Sequence, residues 1–339
     1  MRLTLAGLLA LLIVAQVGLL WWPPAYLPTN AIFIDNHPAA NNTFSTAASF
    51  GSAGPMRLAT GTYVGDGQDD RGIGGLSFQP DAVFIKCECN RPGVARTSTM
   101  TGDAAKVLTS TGNLAPDLVQ SLDGAGFTLG TDLNVNQDGA TFHWAAFKAG
   151  DELELGSYVG DGTDDRSIGG LSFPPDWVVT LGDGNDSVFR PGSLAGDESF
   201  RIAGTGSLAN RIQALEADGC QLGSTPDVNQ SGVTFHYLAW QVSANVTQST
   251  YDGDGGDDRS IGGVGFPPEL VWTKEATASQ SAWRPASVIG DLTLNFNAVV
   301  ARVNRLQALE AAGFQVGGNV QVNRNNRTYH YLALRDGGP

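Results

Sequence analysis

One aspartate-rich stretch contains residue types that bind calcium, and it occurs three times in the sequence. It reads YVGDGQDDRGIGGLSF from Tyr63, YVGDGTDDRSIGGLSF from Tyr158 and YDGDGGDDRSIGGVGF from Tyr251. Clustered carboxylates with glycine can supply the roughly six to eight oxygens that calcium takes. The order D-G-x-D-D-R differs from an EF-hand loop and puts an arginine beside the cation. The candidate calcium ligands are Asp66, Asp69, Asp70, Asp161, Asp164, Asp165, Asp254, Asp257 and Asp258.

The same stretch also has the composition of a β-hairpin turn. The tyrosine would end one strand, the glycines would supply positive φ, and the aspartates would bond the turn backbone. The segment Ile-Gly-Gly-Leu would then resume the pairing. In this alternative no cofactor is needed, and the stretch recurs because one folding unit recurs.

A second set of repeated polar residues consists of one arginine, one aspartate and one histidine in each copy. They could line a pocket for a polar ligand such as a sugar, or they could form a hydrogen-bonded network inside the fold. No serine lies in a nucleophile-elbow pattern, so we predict that the protein is not an enzyme. The candidate ligand-binding residues are Arg96, Asp103, His143, Arg190, Asp197, His236, Arg284, Asp291 and His330.

The elements that must position these residues also recur, in three units at 57–148, 151–241 and 244–336. The chain has 44 glycines and few long helix formers, a composition typical of an all-β protein with many turns. We predict three tandem β-sandwich, jelly-roll-like repeats, each with one short helix. The short linkers predict a stiff rod of independent beads.

Two segments of the second unit carry the most specific structural predictions. TFHYLAW at 234–240 is apolar on both faces, which indicates a central strand covered on both sides. NRIQALEADG at 210–219 has the apolar spacing of a helix, followed by a glycine that could cap it. We therefore place the short helix there, on the rim of the sandwich.

The three cysteines indicate neither a disulfide framework nor a metal site. Cys220 occupies the position of Phe127 and Phe314 in the other units, which favours a buried apolar role. The pair Cys87 and Cys89 has no counterpart in the other units, and we interpret it as incidental.

The N-terminal sequence and the charge balance bear on location. Residues 3–22 carry no charge and are long enough to cross a bilayer, so 1–24 is predicted to be a signal peptide or a membrane anchor. Arg2 precedes this run and no Lys or Arg follows until residue 57, which predicts that the rest is exported. Residues 25–56 would be a stalk, or a strand donated to a neighbouring copy. The net charge of −14 argues against nucleic acid as a partner.

Four motifs recur through the units: G-x-Y-x-G-x-G, GLSFxPDxVxxK, LxxxGFxLG and VNxxGxTFHYLA. This pattern resembles a repeat found in bacterial secreted and cell-surface proteins and in tail-fibre-like proteins of phages. The resemblance implies an extracellular structural or binding protein and brings no catalytic residues with it.

These observations together predict an exported, non-enzymatic structural or adhesive protein of the cell surface, which could be a subunit of a filament or another surface assembly. The alternative is an array of carbohydrate-binding modules, stabilised by calcium. The expected partners are other copies of the chain or surface glycans, and the membrane through residues 3–22 if that segment is not cleaved.

Overall fold

A computed structural model describes residues 54–204, 206–277 and 279–338. The predicted signal peptide or anchor at 1–24, and residues 25–53 of the predicted stalk or donor strand, lie outside the described residues. The structure is 45% strand and 4% helix, which confirms the prediction of an all-β sandwich fold. None of the helices in the described part has the length and apolar character needed to span a bilayer.

The first repeat folds into two antiparallel sheets. Strands β1, β8, β3, β4 and β5 form a larger sheet in that order, and β2, β7 and β6 form a smaller one. The elements are β1 (Arg57–Val64), β2 (Arg71–Gly74), β3 (Ala82–Cys87), β4 (Val94–Thr97), β5 (Lys106–Val107), β6 (Val119–Asp123), β7 (Gly126–Leu129), α1 (Leu133–Asn136) and β8 (Thr141–Lys148).

The second repeat has the same plan with a longer large sheet. Its order is β14-β13-β12-β11-β17-β9, and the small sheet is β10-β16-β15. The elements are β9 (Leu153–Val159), β10 (Arg166–Ile168), β11 (Trp177–Gly182), β12 (Val188–Pro191), β13 (Glu198–Arg201), β14 (Ser207–Ala209), β15 (Ile212–Glu216), β16 (Gly219–Leu222), α2 (Pro226–Asn229) and β17 (Thr234–Trp240).

The third repeat has the shortest large sheet, in the order β18-β24-β20-β21, with β19-β23-β22 as its small sheet. The elements are β18 (Val246–Asp252), β19 (Arg259–Ile261), β20 (Leu270–Glu275), β21 (Ala282–Pro285), β22 (Leu306–Glu310), β23 (Gly313–Val316), α3 (Val320–Asn323) and β24 (Thr328–Leu334).

In each repeat the first strand pairs with the last, and the second strand pairs with the one before the short helix. This nesting is the jelly-roll-like feature that the sequence predicts. The two sheets enclose an apolar core of their own, formed in the first repeat by residues such as Ile85, Phe127 and Phe142. Alternate residues of the large sheet point into this core because side chains alternate across a strand.

The opposite faces of the three large sheets pack against one another and form a single shared core. Phe84 of the first repeat contacts Trp272 of the third, with ring centroids 6.5 Å apart. Trp272 also lies 5.6 Å from Trp177 of the second repeat. The shared core includes buried residues from all three repeats, so the predicted rod of independent beads is wrong. Burial of the second apolar face stabilises the closed arrangement more than an extended one.

The beginnings and ends of the repeats meet at one end of this arrangement. The buried Glu152 carboxylate accepts hydrogen bonds from the Met56 amide, at 2.6 Å, and from the Asn245 side chain, at 2.9 Å. Arg57 pairs with Asp336 at 2.8 Å, which joins the first strand to the end of the last repeat. These contacts connect the starts of all three repeats with the end of the third.

Strand β17 confirms the prediction for 234–240, since it lies between β11 and β9 and is covered on both faces. The predicted helix at 210–219 is wrong, because β15 and β16 form a hairpin there. A register shift between Ile212 and Ala214 marks a β-bulge. The extra residue of a bulge sets Ile212 and Leu215 three apart, as on a helix. The short helices instead follow the small sheets, at the segments ending in Val-Asn.

Candidate functional site

The Asp-rich loop of the first repeat is held by a buried asparagine and an arginine. The Asn136 side-chain oxygen accepts hydrogen bonds from the Asp66 amide, at 3.0 Å, and from Arg71 Nη1, at 3.2 Å. The Asp66 carboxylate accepts from the Gln68 amide, at 3.0 Å, and pairs with Arg71 Nε at 3.2 Å. The backbone bond from Gln68 and the Arg71 charge lower the pKa of Asp66. The carboxylate therefore already has a cation and a backbone donor as partners.

The other two loops repeat this geometry residue by residue. Each first aspartate pairs with its arginine at 3.3 or 3.2 Å, and each buried asparagine binds that aspartate's amide at 3.0 Å. Each second aspartate accepts from a glutamine at the β-bulge, at 2.9 to 3.2 Å. The third aspartates have φ values of 54°, 56° and 53°. The sets are Asp161, Arg166, Asn229, Asp164, Gln213 and Asp165, and Asp254, Arg259, Asn323, Asp257, Gln307 and Asp258.

The aspartates bond the turn backbone as the turn alternative predicts, but the loop is not a hairpin. The strand that follows it, β2, pairs with β7 of the small sheet instead of with β1. The loop therefore carries the chain from one sheet of the sandwich to the other. Among the described residues, no group of three or more His, Cys, Asp or Glu side chains is arranged to hold a metal ion. The calcium alternative thus has no support from the geometry.

The repeated arginines cap loop carbonyls inside their own repeats. Arg96 donates to the backbone oxygens of Gly102, at 2.6 Å, Val119, at 3.1 Å, and Ala104. Arg190 and Arg284 make the equivalent bonds, for example to Gly196 and Gly290 at 2.7 and 2.8 Å. Burial lowers the pKa of all three arginines. Each guanidinium thus fixes the loop that carries the repeated aspartate.

The repeated aspartates join that loop to the residue that lies just before the hairpin of the small sheet. Asp103 accepts from the Asp117 amide at 3.0 Å, and the donor residue has a φ of 65°. Asp197 and Asp291 accept from the amides of Asn210 and Asn304, whose φ values are 61° and 59°. Left-handed backbone is uncommon outside glycine, and the carboxylate compensates by satisfying its amide.

The repeated histidines lie on the other face of the large sheet, in the shared core, and each joins two repeats. His236 Nδ1 lies 2.7 Å from Thr99 Oγ1 of the first repeat, and His330 Nδ1 lies 2.7 Å from Ser193 Oγ of the second. His143 Nδ1 lies 3.1 Å from Ser287 Oγ of the third repeat. The contacts run from first to second, second to third and third to first, so they close a ring.

The histidines and arginines therefore do not share a pocket, because they lie on opposite faces of each large sheet. Burial lowers the pKa of both His236 and His330 to about 4. Burial also lowers the pKa of His143, although its bond to Glu88 at 2.9 Å acts in the opposite direction. The pKa values of His236 and His330 indicate neutral rings at pH 7. The polar residues form the structural networks that the sequence leaves as one of two alternatives.

The turn after the third strand of each repeat faces a neighbouring repeat and is held by a different interaction in each case. The interpretation of the cysteine pair as incidental is wrong, because Cys87 and Cys89 form a disulfide with sulfurs 2.09 Å apart. At the equivalent place, the Asp183 carboxylate accepts from the Leu114 amide of the first repeat at 2.8 Å. The buried Glu275 carboxylate accepts from Thr277 at 2.6 Å and also from Ser279.

Several of the residues that hold these sites were not identified from the sequence. The buried asparagines of the Val-Asn segments, the bulge glutamines and the hydroxyl partners of the histidines all recur in every repeat. That recurrence is the signal that could have found them. They are Asn136, Asn229, Asn323, Gln120, Gln213, Gln307, Thr99, Ser193 and Ser287.

The tryptophans of the repeats give no sugar-stacking platform in the described structure. All five are buried, and the most exposed of them, Trp144, is 7% exposed. Cys220 is buried, as predicted, and its burial raises the pKa of the thiol to about 12.

Comparison with known proteins gives one result, for the third repeat. Residues 241–338 match a domain of unknown function, DUF7483. The match covers less than a third of the chain, close to the bounds of one repeat. No curated protein and no solved structure matches the chain.

Proposed function

We propose that the protein is an exported, non-enzymatic structural or adhesive protein of the cell surface. The observation that carries this proposal is what the repeated polar residues bind. Every arginine, aspartate and histidine of the candidate ligand-binding set bonds backbone or a neighbouring repeat. Such residues stabilise a rigid body, and a rigid body with three equivalent parts suits a structural or multivalent role.

The positions of the chain ends support a role in presenting one end of the body. The Gly337 amide donates to the Met56 oxygen at 3.1 Å, so both ends of the described chain emerge together. Strand β1 runs from this end towards the first Asp-rich loop, a length of about 27 Å for its eight residues. In the proposal, residues 1–53 tether the protein, and the three Asp-rich loops, which follow the ends of β1, β9 and β18, are presented for binding.

The resemblance to secreted and tail-fibre-like repeats supports the same class of function. The runner-up, an array of carbohydrate-binding modules, lacks an exposed tryptophan in the described structure. In the proposal, the adhesive partner is a glycan recognised through polar loops, or a second copy of the chain.

The proposal is tested by locating the protein in expressing bacterial cells. A C-terminal epitope on the full chain is exposed to protease added to intact cells, or to spheroplasts where an outer membrane covers the product. We expect the wild-type epitope to be digested and a cytosolic marker to survive. The matched control is Leu9→Arg with Leu12→Arg, which interrupts the apolar segment and should leave the epitope protected. Protection of the wild-type epitope in both preparations would exclude export.

A further inference from the structure

The three contacts between repeats differ in how the chain connects them. Residues 149–152 join the first repeat to the second, and 241–245 join the second to the third. The contact between the third repeat and the first, which we name the closing seam, has no linker. The turn 86–89 with the Cys87–Cys89 disulfide lies at this seam, and that disulfide is the only one in the described part of the chain.

The disulfide-bonded turn makes two of the hydrogen bonds that cross the closing seam. The Ala301 amide of the third repeat donates to the Glu88 oxygen at 2.7 Å. The buried Lys86 ammonium donates to the Val299 oxygen of the third repeat at 3.1 Å. The same ammonium donates to the oxygens of Cys87 and Cys89, at 2.7 and 2.9 Å. The turn must keep its shape for one lysine to reach all three carbonyls.

The two cysteines differ in burial and in surroundings. Cys87 is fully buried, whereas Cys89 is partly exposed. Lys86 Nζ lies 3.8 Å from the Cys87 sulfur. Burial lowers the pKa of Lys86 to about 7, and its three carbonyl acceptors match the three N–H donors of the ammonium form. We therefore expect an incoming thiolate to attack the Cys89 sulfur, so that Cys87 leaves as a thiolate beside the Lys86 ammonium. A cation beside a leaving thiolate favours thiol–disulfide exchange.

We propose that the Cys87–Cys89 disulfide is a redox modification site for dithiols, and that its reduction loosens the closing seam. One dithiol thiolate bonds to the Cys89 sulfur as the disulfide breaks, and its second thiolate then displaces Cys89. The dithiol is oxidised to a disulfide. Its two electrons and two protons convert the protein disulfide into two thiols.

Hydrogen exchange offers a sharp test because the second and third repeats meet through an equivalent bond. There the Ser207 amide donates to the Ala276 oxygen at 3.2 Å, as Ala301 donates to Glu88 at the closing seam. The full-length protein in mild detergent is reduced with dithiothreitol under native conditions. Alkylation and mass spectrometry then count the modified cysteines, with the buried Cys220 as the internal control. Exchange is measured on peptides that contain Ala301 and Ser207.

We expect alkylation of Cys87 and Cys89 but not Cys220, and exchange at Ala301 faster by about ten-fold or more. Exchange at Ser207 should stay unchanged. Cys87→Ser with Cys89→Ser should give the same exchange pattern without reductant. Three results would overturn the proposal: resistance of the native disulfide to dithiothreitol, unchanged exchange at Ala301 after full reduction, or equal acceleration at Ala301 and Ser207.

Discussion

We call the three contacts between neighbouring repeats the seams. The Asp-rich loops and the turns at the seams both occur three times, yet only the loops keep one set of residues. Each loop uses the same Asp, Arg, Asn and Gln with nearly the same distances. The seam turns use a disulfide, an aspartate and a glutamate at equivalent places. The loop's partners belong to its own repeat, so one solution serves all three. A seam turn faces a different neighbour in each case, so each turn can be held by different residues.

The histidines are the exception at the seams, since they recur with a hydroxyl partner from the next repeat each time. They sit in the shared core, where every repeat presents the same face to the next. The seams thus combine one repeated polar contact with turns that differ. Three predictions separate the contributions of the seams and the loops, beginning with the largest effect.

Acidification should destabilise the seams, because it protonates the buried histidines. Burial lowers the pKa of His236 and His330 from 6.5 to about 4, so between these pH values the unfolded chain binds more protons. Stability is then fully present above pH 6.5 and falls as the pH decreases towards 4. We expect each histidine to account for about 2 to 3 kcal/mol of this loss. Denaturant unfolding at a series of pH values measures it.

The matched variant for the pH series is His236→Gln with His330→Gln, since glutamine can keep a hydrogen bond and does not titrate. The variant should lose most of the slope between pH 6.5 and about 4.5. A slope equal to that of the wild type would assign the acid sensitivity to other groups and remove the histidines from the argument.

The sequence predicts the local parts of this architecture well and the contacts between repeats poorly. The two apolar faces of 234–240 reveal a covered strand, because periodicity records burial on each face. The same pattern cannot say that two other repeats cover the second face. Contacts between segments that are distant in the sequence produce no periodic pattern of residue types. The closed ring and the histidine partners were therefore not predicted.

The bulge at Gln213 and the turn at Cys87 show two further limits. A bulge changes the apolar period of a strand, which made 210–219 resemble a helix. A cysteine pair two residues apart has no loop length from which pairing can be argued. The Asp-rich loop was partly predicted, because Asp and Gly turn chemistry is local, but its passage between sheets depends on distant pairing.

Removing the buried asparagine should break a loop without touching a seam. Asn136 is fully buried and bonds the Asp66 amide, Arg71 and the oxygens of Gln68 and Gly130. We expect Asn136→Ala to lower the free energy of unfolding by about 3 kcal/mol, because several buried groups lose their partner. Asn134→Ala, in the same helical turn, should change it by less than about 0.5 kcal/mol. Equal effects of the two variants would refute a specific role for Asn136.

Calcium should have the smallest effect on stability. Measuring that effect tests whether the Asp-rich loops bind an ion. An ion that binds only the folded protein raises the melting temperature, and a chelator reverses that rise. In each loop the first carboxylate is already paired with an arginine, and the second accepts from a glutamine. A calcium ion would have to displace the arginine from Asp66 at a cost in Coulomb energy. We therefore expect the melting temperature to be the same in excess EDTA and in millimolar calcium. A reversible rise with calcium that Asp66→Asn and its two equivalents abolish would instead show that the loops bind the ion, and that the arginine moves aside to admit it.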